Sequence, residues 1–438
     1  KTLLSLLLVS WLKSIKRNIQ TFKIGPDYLD PQQLSAVSQK PCRNLDLIIS
    51  GEEWVRESFY HFGGLTDFSL IEGVMGLFDG IGSSSRGSTA ELAKFLNLPI
   101  VLIVDARGKA ASLAALIKGF KEHDKELKIA GIVLNNVQSS RHKKILLEVL
   151  SQINIKSLGC LPPCEDLYLP SRHLGLAPVH EILDLEIRVK KWASIAKECL
   201  DIESFKHLLS SPKLTDNRNK CFSKKVSGRH LPIAIAEDEA FHFRYQETKE
   251  LLENNGMPII SWKPLENKQI PGDARGLIIP GGFPEQHAKQ LSNSKISLNS
   301  IKIFSEKFPI YAECGGMMLL GKSIFDLEGK EYSMAGVLPF KAKKGTLKIG
   351  YREAISKNKS PITASGNKLI GHEFHRWEII NETYSSGIKP LWDIKGWNIE
   401  TKNEGFCNNL IHASWLHLHW ASSPLVIKNW KKSVMRFA

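Results

Sequence analysis

The runs Pro99-Ile100-Val101-Leu102-Ile103-Val104-Asp105 and Ile129-Ala130-Gly131-Ile132-Val133-Leu134-Asn135-Asn136-Val137 are apolar almost without a break. A strand with one face in water alternates apolar and polar residues. A strand apolar throughout needs cover on both faces, as in a parallel sheet between helices. Helical patterns separate the runs, and one of them opens at Ser88 with Glu91 three residues on, a capping box. Strand–helix alternation from residue 18 to about 160 therefore predicts an α/β domain with a doubly wound parallel sheet. A second α/β unit starts at Leu231-Pro232-Ile233-Ala234-Ile235-Ala236, with a helix over 245–255. Residues 206–230 hold seven Lys or Arg against one Asp with little periodicity, and read as a linker. The expected division is 1–205, linker 206–230, and 231–438.

Within the second unit, Phe308-Pro309-Ile310-Tyr311-Ala312 reads as a strand and Met317-Met318-Leu319-Leu320-Gly321 as the start of a helix. Between them lies Ala312-Glu313-Cys314-Gly315-Gly316. A Cys on such a turn is expected to be exposed, and the helix N-terminus favours its thiolate, the nucleophilic form. The flanking glycines permit a strained elbow. The competing reading is a structural Cys beside a glycine turn. Upstream, Leu277-Ile278-Ile279-Pro280-Gly281-Gly282-Phe283-Pro284-Glu285 ends an apolar strand in a turn whose backbone N–H groups, near Gly282 and Gly315, can hold an oxyanion. Downstream, Ser414-Trp415-Leu416-His417-Leu418-His419-Trp420 places His417 and His419 on one face of a short strand. A base for Cys314 is expected far away in sequence, and His417 fits.

Charge and cysteine usage narrow the setting. The net charge of +14 comes from residues spread along the chain, with no basic helix, so acidic small substrates suit it better than nucleic acid. Seven cysteines without paired spacing point to a reducing, cytoplasmic compartment. Cys160 and Cys164 have no second Cys or His pair at zinc-like spacing and read as loop residues. The opening run Leu3-Leu4-Ser5-Leu6-Leu7-Leu8-Val9-Ser10-Trp11-Leu12 is too short to span a bilayer and carries no cleavage site. It is expected to form a buried helix, and no membrane segment is expected elsewhere.

In the first unit, Glu72 stands at the C-terminal end of the strand Ser69-Leu70-Ile71-Glu72, and Asp27 and Asp30 stand in the turn after Phe22-Lys23-Ile24. Ligands of open α/β sheets bind beyond those strand ends. Asp27 and Glu72 are candidates for Mg²⁺, Asp30 and Asp79 for substrate. Each taken singly is as readily a solvated turn carboxylate or a cap. Asn135 ends its strand with an amide suited to an adenine edge. Lys1-Thr2 has the residues that close a Gly-x-x-x-x-Gly-Lys-Thr phosphate loop, Lys on the phosphates and Thr on Mg²⁺. About 15 residues, a strand plus its loop, would then be expected ahead of Lys1. Without them, apolar neighbours such as Leu102 and Ile71 should be exposed and the first unit should bind ATP poorly.

The order of oxyanion turn, Cys elbow and late His resembles class I glutamine amidotransferases. Two departures stand out. Ala312 replaces the usual first glycine of the elbow, and His419 replaces the Glu two residues after the His, which implies a Cys314–His417 dyad. The cobyrinic acid amidase branch shares both departures. Gly25-Pro26-Asp27-Tyr28-Leu29-Asp30-Pro31, Glu72-Gly73-Val74-Met75-Gly76-Leu77-Phe78-Asp79-Gly80, Leu169-Pro170-Ser171-Arg172-His173-Leu174-Gly175-Leu176 and Gly371-His372-Glu373-Phe374-His375 extend the likeness. The chain from Lys1 to about Trp420 resembles the cobyrinic acid a,c-diamide synthase family. The resemblance implies a P-loop, dethiobiotin-synthetase-like domain followed by a class I glutaminase domain. It implies ATP, Mg²⁺, L-glutamine and cobyrinic acid as cofactors and substrates, amidation of the a and c acetates through acyl phosphates, and compatibility with a homodimer. Alternatives are a sibling amidase acting on hydrogenobyrinic acid, a nickel sirohydrochlorin or other corrin side chains. A non-catalytic P-loop scaffold is the reading from another class. The His372–His375 segment is expected to lie at a strand end, as exposed loop histidines or as a substrate contact.

Overall fold

The computed structural model describes residues 1–169, 171–172, 175–176, 179–182, 184–213, 230–385 and 387–436. Two compact units divide the chain, one of residues 1–47 and 52–217, the other of 48–51 and 218–438. Most of the expected linker, 214–229, lies outside the described residues, and a helix over Ile202–Leu208 runs into its start.

The first unit opens with the helix Thr2–Ser14, in which every residue from Leu4 to Leu12 is buried. A helix that is apolar nearly all round has no solvent face to offer. Leu7 and Trp11 share one core with Trp192 and Ala196 of the helix Leu185–Cys199. The strands are β1 (Ile19–Ile24), β2 (Arg43–Leu45), β3 (Phe68–Glu72), β4 (Pro99–Asp105), β5 (Lys128–Asn135) and β6 (Ser157–Cys160), with a two-residue hairpin of β7 (Ser171–Arg172) and β8 (Gly175–Leu176). Pairing among the first six is parallel throughout, as the apolar runs require.

The parallel strands form two three-stranded sheets, β2-β1-β3 and β4-β5-β6, not one continuous sheet. A ladder needs its next strand about 4.8 Å away, and among the described residues no strand joins β3 to β4. Residues Leu70 and Ile71 of β3 and Val101 and Ile103 of β4 line a cavity of 330 Å³. Ile71 is half-buried, but Leu102, expected to be exposed, is 8% exposed. Ser88 caps the helix Thr89–Phe95 by accepting from the Glu91 N–H, while the Glu91 carboxylate takes the Gly87 N–H.

The second unit is built on a 12-stranded sheet. Its strands are β9 (Ile233–Ala236), β10 (Ile259–Trp262), β11 (Gly276–Ile279), β12 (Ile310–Glu313), β13 (Ser323–Phe325), β14 (Glu331–Ser333), β15 (Lys341–Ser356), β16 (Lys368–Ile380), β17 (Lys389–Gly396), β18 (Ile399–Cys407), β19 (Ile411–Ser414) and β20 (Leu416–His417). The order is β10-β9-β11-β12-β19-β18-β17-β15-β13-β14, with β16 paired to β15 and β20. Strands β10, β9, β11, β12 and β19 run parallel, and β11 and β12 are buried at every residue. The β15–β16 and β17–β18 hairpins extend the sheet antiparallel. This half is half-solvated and carries alternating patterns that are weak in sequence. β12 is central, which fixes the turn that follows it.

Candidate active site

Cys314 follows β12 directly with φ 47° and ψ −111°, and the helix Gly315–Leu320 starts behind it. A non-glycine residue in so sparse a region costs about 1–3 kcal/mol and persists only where its surroundings impose it. Here the Cys314 N–H donates to the Ser414 carbonyl of β19 at 2.7 Å. The next two residues leave no room for side chains. A Cβ on Gly316 would stand 2.1 Å from the Ile279 carbonyl oxygen, and one on Gly315 would stand 3.1 Å from the Gly282 nitrogen. The elbow is therefore pressed against the turn that ends β11, and Gly282 and Gly315 are brought together as the sequence suggested.

The state of the thiol differs from expectation. Cys314 is 5% exposed, not open to solvent. Burial pushes its pKa well up and the Glu285 carboxyl adds to this, against an opposing hydrogen bond from the Gly315 backbone. A six-residue helix offers little dipole against such desolvation. The resting thiol keeps its proton, with Sγ 3.7 Å from the Phe374 carbonyl oxygen. Glu285 is itself pushed up to about 8 by burial.

His417 reaches the same place from β20. It is 1% exposed and pairs in register with His372 of β16. A Cβ on Gly281 would lie 2.5 Å from its Cε1 and 3.4 Å from its Nε2, so this edge of the ring faces the oxyanion turn. Its Nδ1 lies 3.2 Å from Oε2 of Glu313. The other Glu313 oxygen accepts from the Leu418 N–H at 3.1 Å and from the Tyr311 hydroxyl. The sequence suggested a dyad because His419 takes the usual Glu position. The structure instead supplies a carboxylate from the residue before the nucleophile. Its signal was present: Glu313 is the one charged residue in a strand buried at every position. His419 turns elsewhere. Its Nδ1 accepts from the Ser422 N–H at 3.3 Å, its Nε2 lies 3.9 Å from Glu247, and burial pushes it down to about 3.

His372, Glu373 and His375, expected at an exposed strand end or against a substrate, are buried within the long β16. Glu373 accepts from Arg352 Nε at 2.7 Å, and its other oxygen lies 2.9 Å from His375 Nε2. Burial pushes Glu373 up, but His375 and Arg352 together outweigh it and hold the carboxylate at about 2. His375 stacks on Trp415 with centroids 3.9 Å apart. Burial, then the neighbouring charges of His417 and Arg352, push His372 down to about 3.

The candidate residues of the first unit converge only in part. Glu72, at the end of β3, accepts from the Thr2 hydroxyl at 2.7 Å. Lys1 Nζ donates to the Met75 carbonyl at 2.7 Å. At the centre stands Lys23, which was not among the residues expected there. Its Nζ lies 2.5 Å from Asp30, 2.8 Å from Glu72 and 3.6 Å from Asp27, and the residue is 2% exposed. A lysine inside a fully buried strand was the available signal. Burial lowers its pKa, but Glu72, Asp27 and Asp30 outweigh that and raise it. Burial and then Asp30 push Asp27 up to about 6. Asp79 is exposed and accepts from the Gly76 N–H at 2.8 Å, and Asn135 ends β5 in the other sheet. The carboxylates close on a lysine ammonium. Among the described residues no group of three His, Cys, Asp or Glu is placed to hold a metal ion. Thr2 and Lys23 meet on Glu72, and Asp27 and Asp30 meet on Lys23, so Thr2, Asp27 and Glu72, the expected Mg²⁺ ligands, stand around one lysine ammonium.

A family model described as a CobB/CobQ-like glutamine amidotransferase domain matches residues 232–425, and one described as an AAA domain matches residues 33–171. Over 434 residues the chain is 38% identical to a cobyrinate a,c-diamide synthase of Synechococcus sp., covering 98% of this chain and 94% of that one. A protein of the same name from Caldanaerobacter subterraneus is 40% identical over 443 residues, covering 100% and 94%. One from Priestia megaterium is 35% identical over 435 residues, covering 98% and 93%.

Proposed function

The chain belongs to the cobyrinate a,c-diamide synthase family, and from that premise we propose that it amidates the a and c acetate carboxylates of cobyrinic acid, using glutamine as nitrogen donor and ATP as activator, in cobalamin biosynthesis. The structural observation that carries the glutaminase half is the meeting of Cys314, the Gly281-Gly282 turn and His417 at one point of the second unit.

The Cys314 sulfur attacks the glutamine amide carbon. Its proton passes to His417, and the developing oxyanion is met by backbone N–H groups near Gly282 and Gly315. The C–N bond breaks, ammonia leaves with the proton held by His417, and water then cleaves the thioester to glutamate. Burial raises the pKa of the thiol, so removal of its proton falls to the base in this order.

A free carboxylate is a poor electrophile. The corrin acetate attacks the γ-phosphorus of ATP, ADP leaves, and ammonia then displaces phosphate from the acyl phosphate. Magnesium enters with the nucleotide as Mg-ATP. Lys1 and Lys23 supply positive charge beside Asp27, Asp30 and Glu72. The acidic substrate agrees with the net charge of +14. We place the reaction in the cytoplasm. All six described cysteines are free, and among the described residues no helix is long and apolar enough to cross a membrane.

The test supplies cobyrinic acid, Mg-ATP and glutamine and follows the products by mass. Two successive amidations that need both ATP and glutamine are expected. Glutamine hydrolysis without any amidated corrin would overturn the substrate assignment.

A further inference from the structure

Glu313 is 7% exposed and sits at the end of β12, one residue before the nucleophile. Its side chain nonetheless serves the base. One oxygen takes the Leu418 N–H at 3.1 Å together with the Tyr311 hydroxyl, and the other lies 3.2 Å from His417 Nδ1. A carboxylate so placed accepts and cannot donate, so the proton of a neutral His417 belongs on Nδ1. The basic nitrogen is then Nε2, on the ring edge that faces Gly281.

We propose that Glu313 is the positioning residue of the glutaminase site, fixing the His417 tautomer and stabilising the imidazolium that forms when Cys314 gives up its proton. The inference rests on the glutaminase reading above. The logic is that of the carboxylate behind the imidazole in hydrolase triads, where loss of the charge leaves the ring in the wrong tautomer. Here the carboxylate comes from the nucleophile's own strand, so Cys314 and the partner of its base share one rigid element. Tyr311 holds Glu313 from below. Its hydroxyl is pushed well above the usual range by burial and by the Glu313 charge, so it remains a donor. Across the β16–β20 ladder His372 stands opposite His417, and burial first, then His417 and Arg352, hold its pKa down to about 3.

The test compares wild type, Glu313→Gln and Glu313→Asp for glutamine hydrolysis across pH and for amidation driven by ammonium salts. Glu313→Gln is expected to lower kcat for glutamine by about 10²–10⁴ with KM within about twofold. The acid limb of kcat/KM should move down by about one pH unit, because the imidazolium has lost its anion. Ammonium-driven amidation should not change. Glu313→Asp keeps the charge at a longer reach and should recover at least about tenfold over Glu313→Gln, with the limb where wild type has it. A purely structural role would lower the melting point without moving the limb. If Glu313→Gln keeps wild-type kcat and limb while Cys314→Ala is inactive with glutamine, the proposal is wrong and the glutaminase reading stands. If Cys314→Ala is fully active, the glutaminase reading falls first. Should Glu313→Gln fail to fold, Glu313→Ala assayed with and without added formate decides: loss of glutamine turnover that formate restores supports the role, and wild-type kcat, or a loss that formate leaves unchanged, overturns it.

Discussion

Gly281 lies flush against the His417 imidazole, so that a methyl group on its Cα would stand 2.5 Å from Cε1. The turn that is to hold the oxyanion and the ring that is to move the proton therefore fix each other. Gly281→Ala must push the ring away. A displacement of about 1 Å at reacting groups costs about 10² in rate. Glutamine hydrolysis is expected to fall by that factor, with ammonium-driven amidation unaffected. Steady-state rates with the two nitrogen sources check it, and equal losses would count against the placement.

Cys314→Ala is expected to abolish glutamine-driven amidation and to leave the ammonium-driven reaction, because ATP chemistry is assigned to the other unit. His417→Ala should behave in the same way. His419→Ala should leave kcat within about tenfold and act mainly on stability, since His419 is tied to Ser422 and Glu247. A His419 variant with wild-type melting but no glutaminase activity would reverse the two assignments.

Glu72→Gln removes the carboxylate shared by Thr2 and Lys23, two groups that otherwise lie apart in sequence. It is expected to cripple ATP-dependent amidation and to spare glutamine hydrolysis. Asp27→Asn should act in the same direction, more weakly, because its contact with Lys23 is 3.6 Å long. ADP release and amide formation measured side by side will show it, and full amidation in both variants would remove them from the site.

His412 is 1% exposed, holds Ser360 Oγ at 3.0 Å, and is pushed down to about 3 by burial. An unfolded histidine titrates near 6.5. Between these values the unfolded chain binds a proton that the folded one refuses. Stability is complete above about pH 6.5 and falls as pH drops toward 3, by about 1.4 kcal/mol per unit for this one group. His412→Asn should flatten urea midpoints measured from pH 7 to 5 by about one proton's worth. His372 and His419 are depressed in the same direction, so the slope shrinks without vanishing. Unchanged slopes would show that His412 ionises in the folded state.

What sequence could show followed from what each residue must do locally. The apolar runs at Pro99–Asp105 and Lys128–Asn135 are paired parallel because only cover on both faces suits them. Cys314, Gly282, Gly315 and His417 stood out as candidates because glycine spacing and strand ends mark turns. Glu313 and Lys23 were not, although each is a charge in a buried strand. Their meaning lies in partners 104 and 49 residues away, and pairing at that distance leaves no local periodicity. The thiol state was misjudged for a similar reason: a helix terminus is visible in sequence, while the burial that outweighs it is a property of the finished fold.

The placement of β19 beside β12 has a bearing on how the site comes into being. Cys314 receives its backbone partner Ser414 and its base His417 from chain synthesised about a hundred residues later, after both long hairpins have been laid down. Non-local pairings of this kind form slowly, because loop closure must precede any reward from contact. In a refolding experiment secondary structure should return first and glutamine turnover last.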